Sequence, residues 1–138
     1  MKNKFKSNER LFETLKSLNL PRGKYVVVGS GAMLIRGLRE GHDIDVFVTK
    51  DLYEEYRRKI GWKRKPCNID FYLSKDGIEL WDEWRPGNWN VEKLISEAEY
   101  IDGIAFLSLK WTMKWKKLCG RKKDLEHVKI IEGYLKKN

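Results

Sequence analysis

The chain has 138 residues, a net charge of +9, and 41% hydrophobic and 12% aromatic residues, which excludes a disordered chain and supplies enough apolar surface for one folded domain. No run of about 18 apolar residues occurs, which excludes a membrane-spanning helix from the reading, and the basic start Met1-Lys2-Asn3-Lys4-Phe5-Lys6 is not followed by an apolar signal region. Cys67 and Cys119 stand far apart without metal-ligand spacing, so they read as free thiols of a cytoplasmic protein, and a zinc site would need both to converge with the isolated His42 and His127.

In chain order, Ser7 is placed to cap a helix whose apolar stripe is Leu11, Phe12, Leu15 and Leu18. Residues 19–23, with Pro21 and Gly23, break it before the apolar strand Tyr25–Val28. From Gly31 the pattern is helical again, with Ala32, Leu34, Ile35 and Leu38 inward, and Gly41 reads as a turn into a strand over 43–48. Asp51-Leu52-Tyr53-Glu54 has the form of a capping box and predicts a helix to about Ile60. Residues 68–73 read as a strand, Ile78–Trp81 as another, and Arg85-Pro86-Gly87-Asn88 as a turn. Asn90 caps a helix through Leu94 and Ala98, and residues 101–106 read as a short strand or extended segment. Ser108 caps a further helix with Trp111, Trp115 and Leu118 on one face and Lys110, Lys114 and Lys117 on another. Gly120 ends it, and a last helix turns Leu125, Val128, Ile131 or Ile130, and Leu135 inward. Alternation of strands and helices predicts an α/β (α+β) fold: a small mixed sheet with helices packed on it, a core over about 1–107 and a C-terminal helical pair over about 108–138, all in one domain over 1–138.

The sharpest local pattern lies between the first two strands. Gly29-Ser30 closes the run Tyr25–Val28, twelve residues intervene, and Asp43-Ile44-Asp45 opens the run Asp45-Val46-Phe47-Val48. Residues two apart on a strand share a face, so Asp43 and Asp45 project side by side. Like charges that close repel each other unless a cation lies between them, and hard carboxylate oxygens beside a phosphate suit Mg²⁺. Gly29 lets backbone approach phosphate oxygens. Ser30 either gives a hydroxyl to phosphate or caps the helix that follows, whose N-terminus adds partial positive charge. The alternative for the two aspartates is a pair of turn or capping acids.

This order of motifs resembles the nucleotidyltransferase superfamily typified by DNA polymerase beta, and in particular its small bacterial and archaeal toxin-type or uncharacterised members. The resemblance implies a polymerase-beta-like fold and a third strand carboxylate, matched by Asp70 in Ile69-Asp70-Phe71, with Glu79 as the fallback. Asp43, Asp45 and Asp70 are then the catalytic and metal-binding set, for Mg²⁺ with Mn²⁺ as a substitute. It also implies nucleotide contacts from Gly29, Ser30, a helical Lys114, and Lys123 with Asp124, the acid orienting Lys123 or Arg121. An acid expected three residues after Asp124 is His127 here. The implied reaction moves a nucleoside monophosphate from an NTP such as ATP to a hydroxyl, releasing pyrophosphate.

Charge shapes the acceptor reading. Six of the nine residues from Arg57 to Lys65 are basic around Trp62, and seven basic and no acidic residues lie between Lys110 and Lys123. Such basic–aromatic stretches suit nucleic acid, or they form a solvated lysine-rich surface. They disfavour a polycationic antibiotic acceptor and favour RNA (a tRNA end) or a protein hydroxyl. The other class of reading is a non-catalytic nucleotide- or RNA-binding relative, or one subunit of a toxin–antitoxin type complex paired with an antitoxin. Trp111 and Trp115 serve either as core or as a stacking platform.

Overall fold

In the computed structural model, which describes residues 3–138, seven strands form one mixed sheet covered unequally on its two faces. Met1 and Lys2 of the basic start lie outside the described residues. The chain runs α1 (Lys6–Ser17), β1 (Tyr25–Val28), α2 (Gly31–Ile35), β2 (Ile44–Val48), α3 (Lys50–Arg57), β3 (Lys63–Cys67), β4 (Asp70–Lys75) and β5 (Ile78–Trp81), followed by α4 (Val91–Ser96), β6 (Glu99–Ile101), β7 (Ile104–Phe106), α5 (Leu109–Cys119) and α6 (Lys122–Lys137). The spatial order is β3-β4-β5-β2-β1-β7-β6. β1 pairs antiparallel with β2 and parallel with β7, while β2 pairs parallel with β5. This is the mixed α/β architecture that the alternation of elements predicts. No helix among the described residues is long and apolar enough to cross a membrane.

Strand alternation divides the apolar residues between two cores. Val27, Ile44, Val46, Val48, Leu73, Ile78 and Leu80 pack against Leu11, Phe12 and Leu15 of α1 and Leu52 and Tyr56 of α3. On the opposite face Val26, Val28 and Phe47 pack with Trp84, Leu94, Leu107 and Trp115. A small third cluster joins Ala32 and Met33 of α2 to Leu109 and Ile131, docking the C-terminal helices beside β1.

Several local expectations need correction. Ser7 lies inside α1, donating its hydroxyl to Glu40, and Phe5 occupies the N-cap position. Asp51 lies in the first turn of α3, whose N-cap is Thr49. α2 stops at Ile35, one turn long, with all five of its residues buried in the core before the chain leaves toward β2. The basic stretch Lys63–Cys67 is a strand with every residue exposed, an edge pairing with β4 that polarity alone conceals. Residues 99–106 make a hairpin turning at Asp102-Gly103 instead of one strand. Leu118 of α5 and Leu125, Ile130 and Leu135 of α6 are exposed, and Val128 and Ile131 carry the packing. Asn90, Ser108 and Gly120 cap as their types predict, the first two accepting from Lys93 N (2.9 Å) and Trp111 N (3.2 Å).

The segment between α2 and β2 is held from below by α1. Asn8 is fully buried; its amide donates to Leu34 O (3.1 Å) and Arg39 O (2.9 Å), and its Oδ1 accepts from Gly41 N (3.0 Å). These bonds replace the ladder partners that an irregular segment lacks, and they fix the approach to Asp43.

Candidate metal and nucleotide site

The sheet register brings three acids together. Val28 stands opposite Asp45 on β2, and Asp45 stands opposite Glu79 on β5. With Asp43 at the entrance to β2, carboxylate oxygens of Asp43, Asp45 and Glu79 lie within 4.8 Å of one another. Burial first, then Glu79 and Asp43, raise Asp45 well above the ordinary carboxylate range, opposed by Trp81 Nε1, which donates to Asp45 Oδ1 at 3.1 Å. Burial raises Glu79, opposed by its hydrogen bond with Asp45; Asp43 adds to the rise and Lys65 draws it down. Acids this crowded hold a proton unless a cation replaces it. The all-oxygen donor set, open to solvent at Asp43, is the chemistry that Mg²⁺ or Mn²⁺ prefers. Of the two candidates for the third acid, the structure brings Glu79 to the pair.

Asp70 lies elsewhere. It begins β4 opposite Cys67, and its Oδ2 accepts from Arg85 Nε at 2.6 Å. The β-hairpin register explains the difference. The row through Asp45 and Glu79 continues to Ser74 of β4, four residues along the strand from Asp70.

Gly29 closes the floor of the site. It has φ +63°, and a Cβ there would sit 2.8 Å from Asp45 Oδ2. Beyond it a cavity of about 290 Å³ is lined by Gly29, Ser30, Asp43 and Asp45 from the sheet side, and by Lys116, Arg121, Lys123 and His127 from the C-terminal helices. Ser30 does not cap α2 with its side chain; its Oγ accepts from Lys116 Nζ at 2.9 Å.

Lys116 is the residue that sequence reasoning missed. It is 2% exposed, and its Nζ also meets His127 Nδ1 at 3.0 Å and Asp124 Oδ1 at 3.9 Å. Burial lowers its amine to about 8, partly offset by Asp124. Burial and the Lys116 charge lower His127 to about 4, so the ring stays neutral and Nδ1 accepts. Asp124 is buried, which alone would raise it, but Arg121 Nε (2.6 Å) and Lys116 hold it below the ordinary range. Leu109, Thr112 and Lys116 recur at helical spacing on the buried stripe of α5, and a lysine on that stripe was the available signal. Lys114 points elsewhere: it is exposed, with its ammonium 4.9 Å from the centre of the Trp111 ring. Lys123 is exposed and lines the cavity. His127, standing where the resemblance leads one to expect an acid, accepts a hydrogen bond from the Lys116 ammonium.

Among the described residues no Cys or His joins a metal-ligating group; Cys67 and Cys119 are free. Fold and site together define a mixed α/β protein with a strand-borne carboxylate triad beside a basic cavity. Comparison with family models, curated proteins and solved structures gives no match to the chain.

Proposed function

We propose that the chain is a metal-dependent nucleotidyltransferase. The observation that carries this reading is the convergence of Asp43, Asp45 and Glu79 within 4.8 Å beside the cavity containing Ser30, Lys116 and Lys123. Asp43, Asp45 and Glu79 would hold Mg²⁺, which supplies charge neutralisation for the triphosphate and lowers the pKa of the attacking hydroxyl. Gly29 permits close approach of the phosphates to the sheet. Ser30, Lys116 and Lys123 give a hydroxyl and two point charges to the leaving pyrophosphate. The acceptor hydroxyl transfers its proton to the Glu79 carboxylate as its oxygen bonds to the α-phosphorus. The bond from that phosphorus to the bridging oxygen breaks, and pyrophosphate departs toward Lys116. The favoured acceptor is RNA.

The experiment is incubation with each α-³²P-labelled NTP, Mg²⁺ and cellular RNA, in parallel with thermal melts in NTP and Mg²⁺. Wild type should label RNA and melt at higher temperature with its NTP; Asp45→Asn should do neither. Stabilisation that depends on Asp45 without any label would replace the enzyme by a nucleotide-binding relative of the fold. Label on protein would move the acceptor to a protein hydroxyl.

A further inference from the structure

One half of the catalytic sheet face is uncovered. Directly opposed residues of an antiparallel pair share a face, so the register Ser74↔Glu79, Lys63↔Ser74, Lys65↔Tyr72 and Cys67↔Asp70 puts Lys63, Lys65, Tyr72, Ser74 and Asp70 on the face that bears Asp45 and Glu79. Lys63 and Lys65 are exposed. Tyr72 stacks on Trp81, with ring centres 4.5 Å apart and planes 17° from parallel. Beside this strip lies a cavity of about 560 Å³ walled by Trp81, Trp84 and Trp115, with Asn68, Arg85 and Arg121 among its polar residues. Its acids are already matched: Asp70 with Arg85 and Glu83 with Lys50. Trp81 belongs to both places, since its ring walls the cavity and its N–H rests on Asp45.

We propose that this strip and the tryptophan cavity hold the 3′ end of a single-stranded RNA. The half-buried Tyr72–Trp81 pair gives a base an aromatic flank to lie against, while the exposed Lys63 and Lys65, with Arg85 and Arg121 beside their carboxylate partners, meet the backbone phosphates. The Asn68 amide and the Ser74 hydroxyl offer hydrogen bonds to ribose 2′-hydroxyls, which distinguishes RNA from DNA. The placement also suits in-line displacement. Ser30 and Lys116 occupy the β1 side of the triad and the open strip its β4–β5 side, so attacking and leaving oxygens lie on opposite sides of the acids. The identity of the reacting hydroxyl rests on the transferase reading; the binding itself does not.

The test is fluorescence anisotropy of a 5′-labelled 12-nucleotide single-stranded RNA, without NTP or divalent metal, across a KCl series. Wild type should bind. Lys63→Glu/Lys65→Glu should weaken binding at least tenfold and reduce the slope of log K against log salt by roughly one to two, since each neutralised phosphate on a single strand contributes about 0.7. Arg85→Gln should weaken it several-fold. The equal charge change Lys136→Glu/Lys137→Glu, at the far end of α6, should stay within twofold. Asp45→Asn should bind RNA as wild type does, even while losing its response to NTP and Mg²⁺. Equal losses in both charge-reversal pairs, or no binding by wild type, would overturn the RNA surface and leave the NTP result standing. DNA of the same sequence binding as tightly would overturn the assignment to RNA. A blocked 3′-phosphate binding as well as the free hydroxyl would overturn the assignment to an end.

Discussion

The methyl group of an alanine at position 29 would press against Asp45 Oδ2 at 2.8 Å, on backbone whose positive φ already disfavours any side chain. Gly29→Ala should therefore cost about 1–3 kcal/mol and push the Asp45 carboxylate away from Glu79, so that urea melts show lower stability and Mg²⁺ no longer protects. Lys116 gives a different signature. Its folded pKa of about 8 lies below the ordinary 10.5, so between those values the unfolded chain binds a proton that the folded chain does not. Stability from this group rises with pH across that window, and below about pH 8 the full cost of burying the ammonium is present. Lys116→Met should accordingly raise stability at pH 7 and flatten the increase between pH 8 and 10.5, while abolishing stabilisation by NTP. Denaturant midpoints measured from pH 6 to 10.5 check the first two outcomes, and a loss of stability at pH 7 would contradict the burial cost.

At the scale of elements, the site depends on how one helix and two strands are tied to β2. Asn8→Ala would leave Arg39 O and Gly41 N without their Asn8 partner, while Leu34 O keeps Asn3 Nδ2 and Gly37 N, a loss of about 2–3 kcal/mol that chemical denaturation should read with an unchanged slope. The two candidates for the third acid separate in the same way: Glu79→Gln should remove Mg²⁺- and NTP-dependent stabilisation, and Asp70→Asn should leave it within about a degree. Isothermal titration with Mn²⁺ gives a second reading of that pair. Residue pattern made much of this legible. The run Tyr25–Val28, the Asp-x-Asp entrance to β2 and the caps Asn90, Ser108 and Gly120 are decided by local chemistry, and local chemistry is visible in one dimension. What stayed hidden is set by register and rotation. Asp70 and Glu79 are both acids on apolar strands, and only the pairing of β5 with β2 selects Glu79. Lys114 and Lys116 are two residues apart on a helix, hence on nearly opposite sides, and only the docking of α5 against α2 decides which one meets Ser30. The exposed β3 has no apolar alternation to announce it; its existence follows from β4 offering an edge.

For the molecule as a whole, the parallel pairing of β2 with β5 sets Asp45 and Glu79 on neighbouring strands, and the antiparallel β3–β4 pairing, joined to β5 through β4, carries the Lys65 charge toward them. The C-terminal helices close the β1 side and leave the β3–β5 half of that face bare. A net charge of +9 draws polyanions to such a surface from a distance, an effect that salt weakens. The same arrangement bears on how the protein avoids its own copies. Every sheet that does not close has two edges able to add a strand from another molecule. Here one edge is β6, three residues long, with the Arg22 guanidinium 4.1 Å from its Tyr100 ring centre. The other is β3, whose Lys63, Arg64 and Lys65 repel a second copy and whose Pro66 has no N–H to offer. Replacing Lys63 and Lys65 by valine should thus convert a guarded edge into a template, and light scattering should show concentration-dependent association that the glutamate pair lacks. The positive charge of one edge strand is thus a guard on the open sheet, placed on residues that sequence polarity alone would assign to a loop.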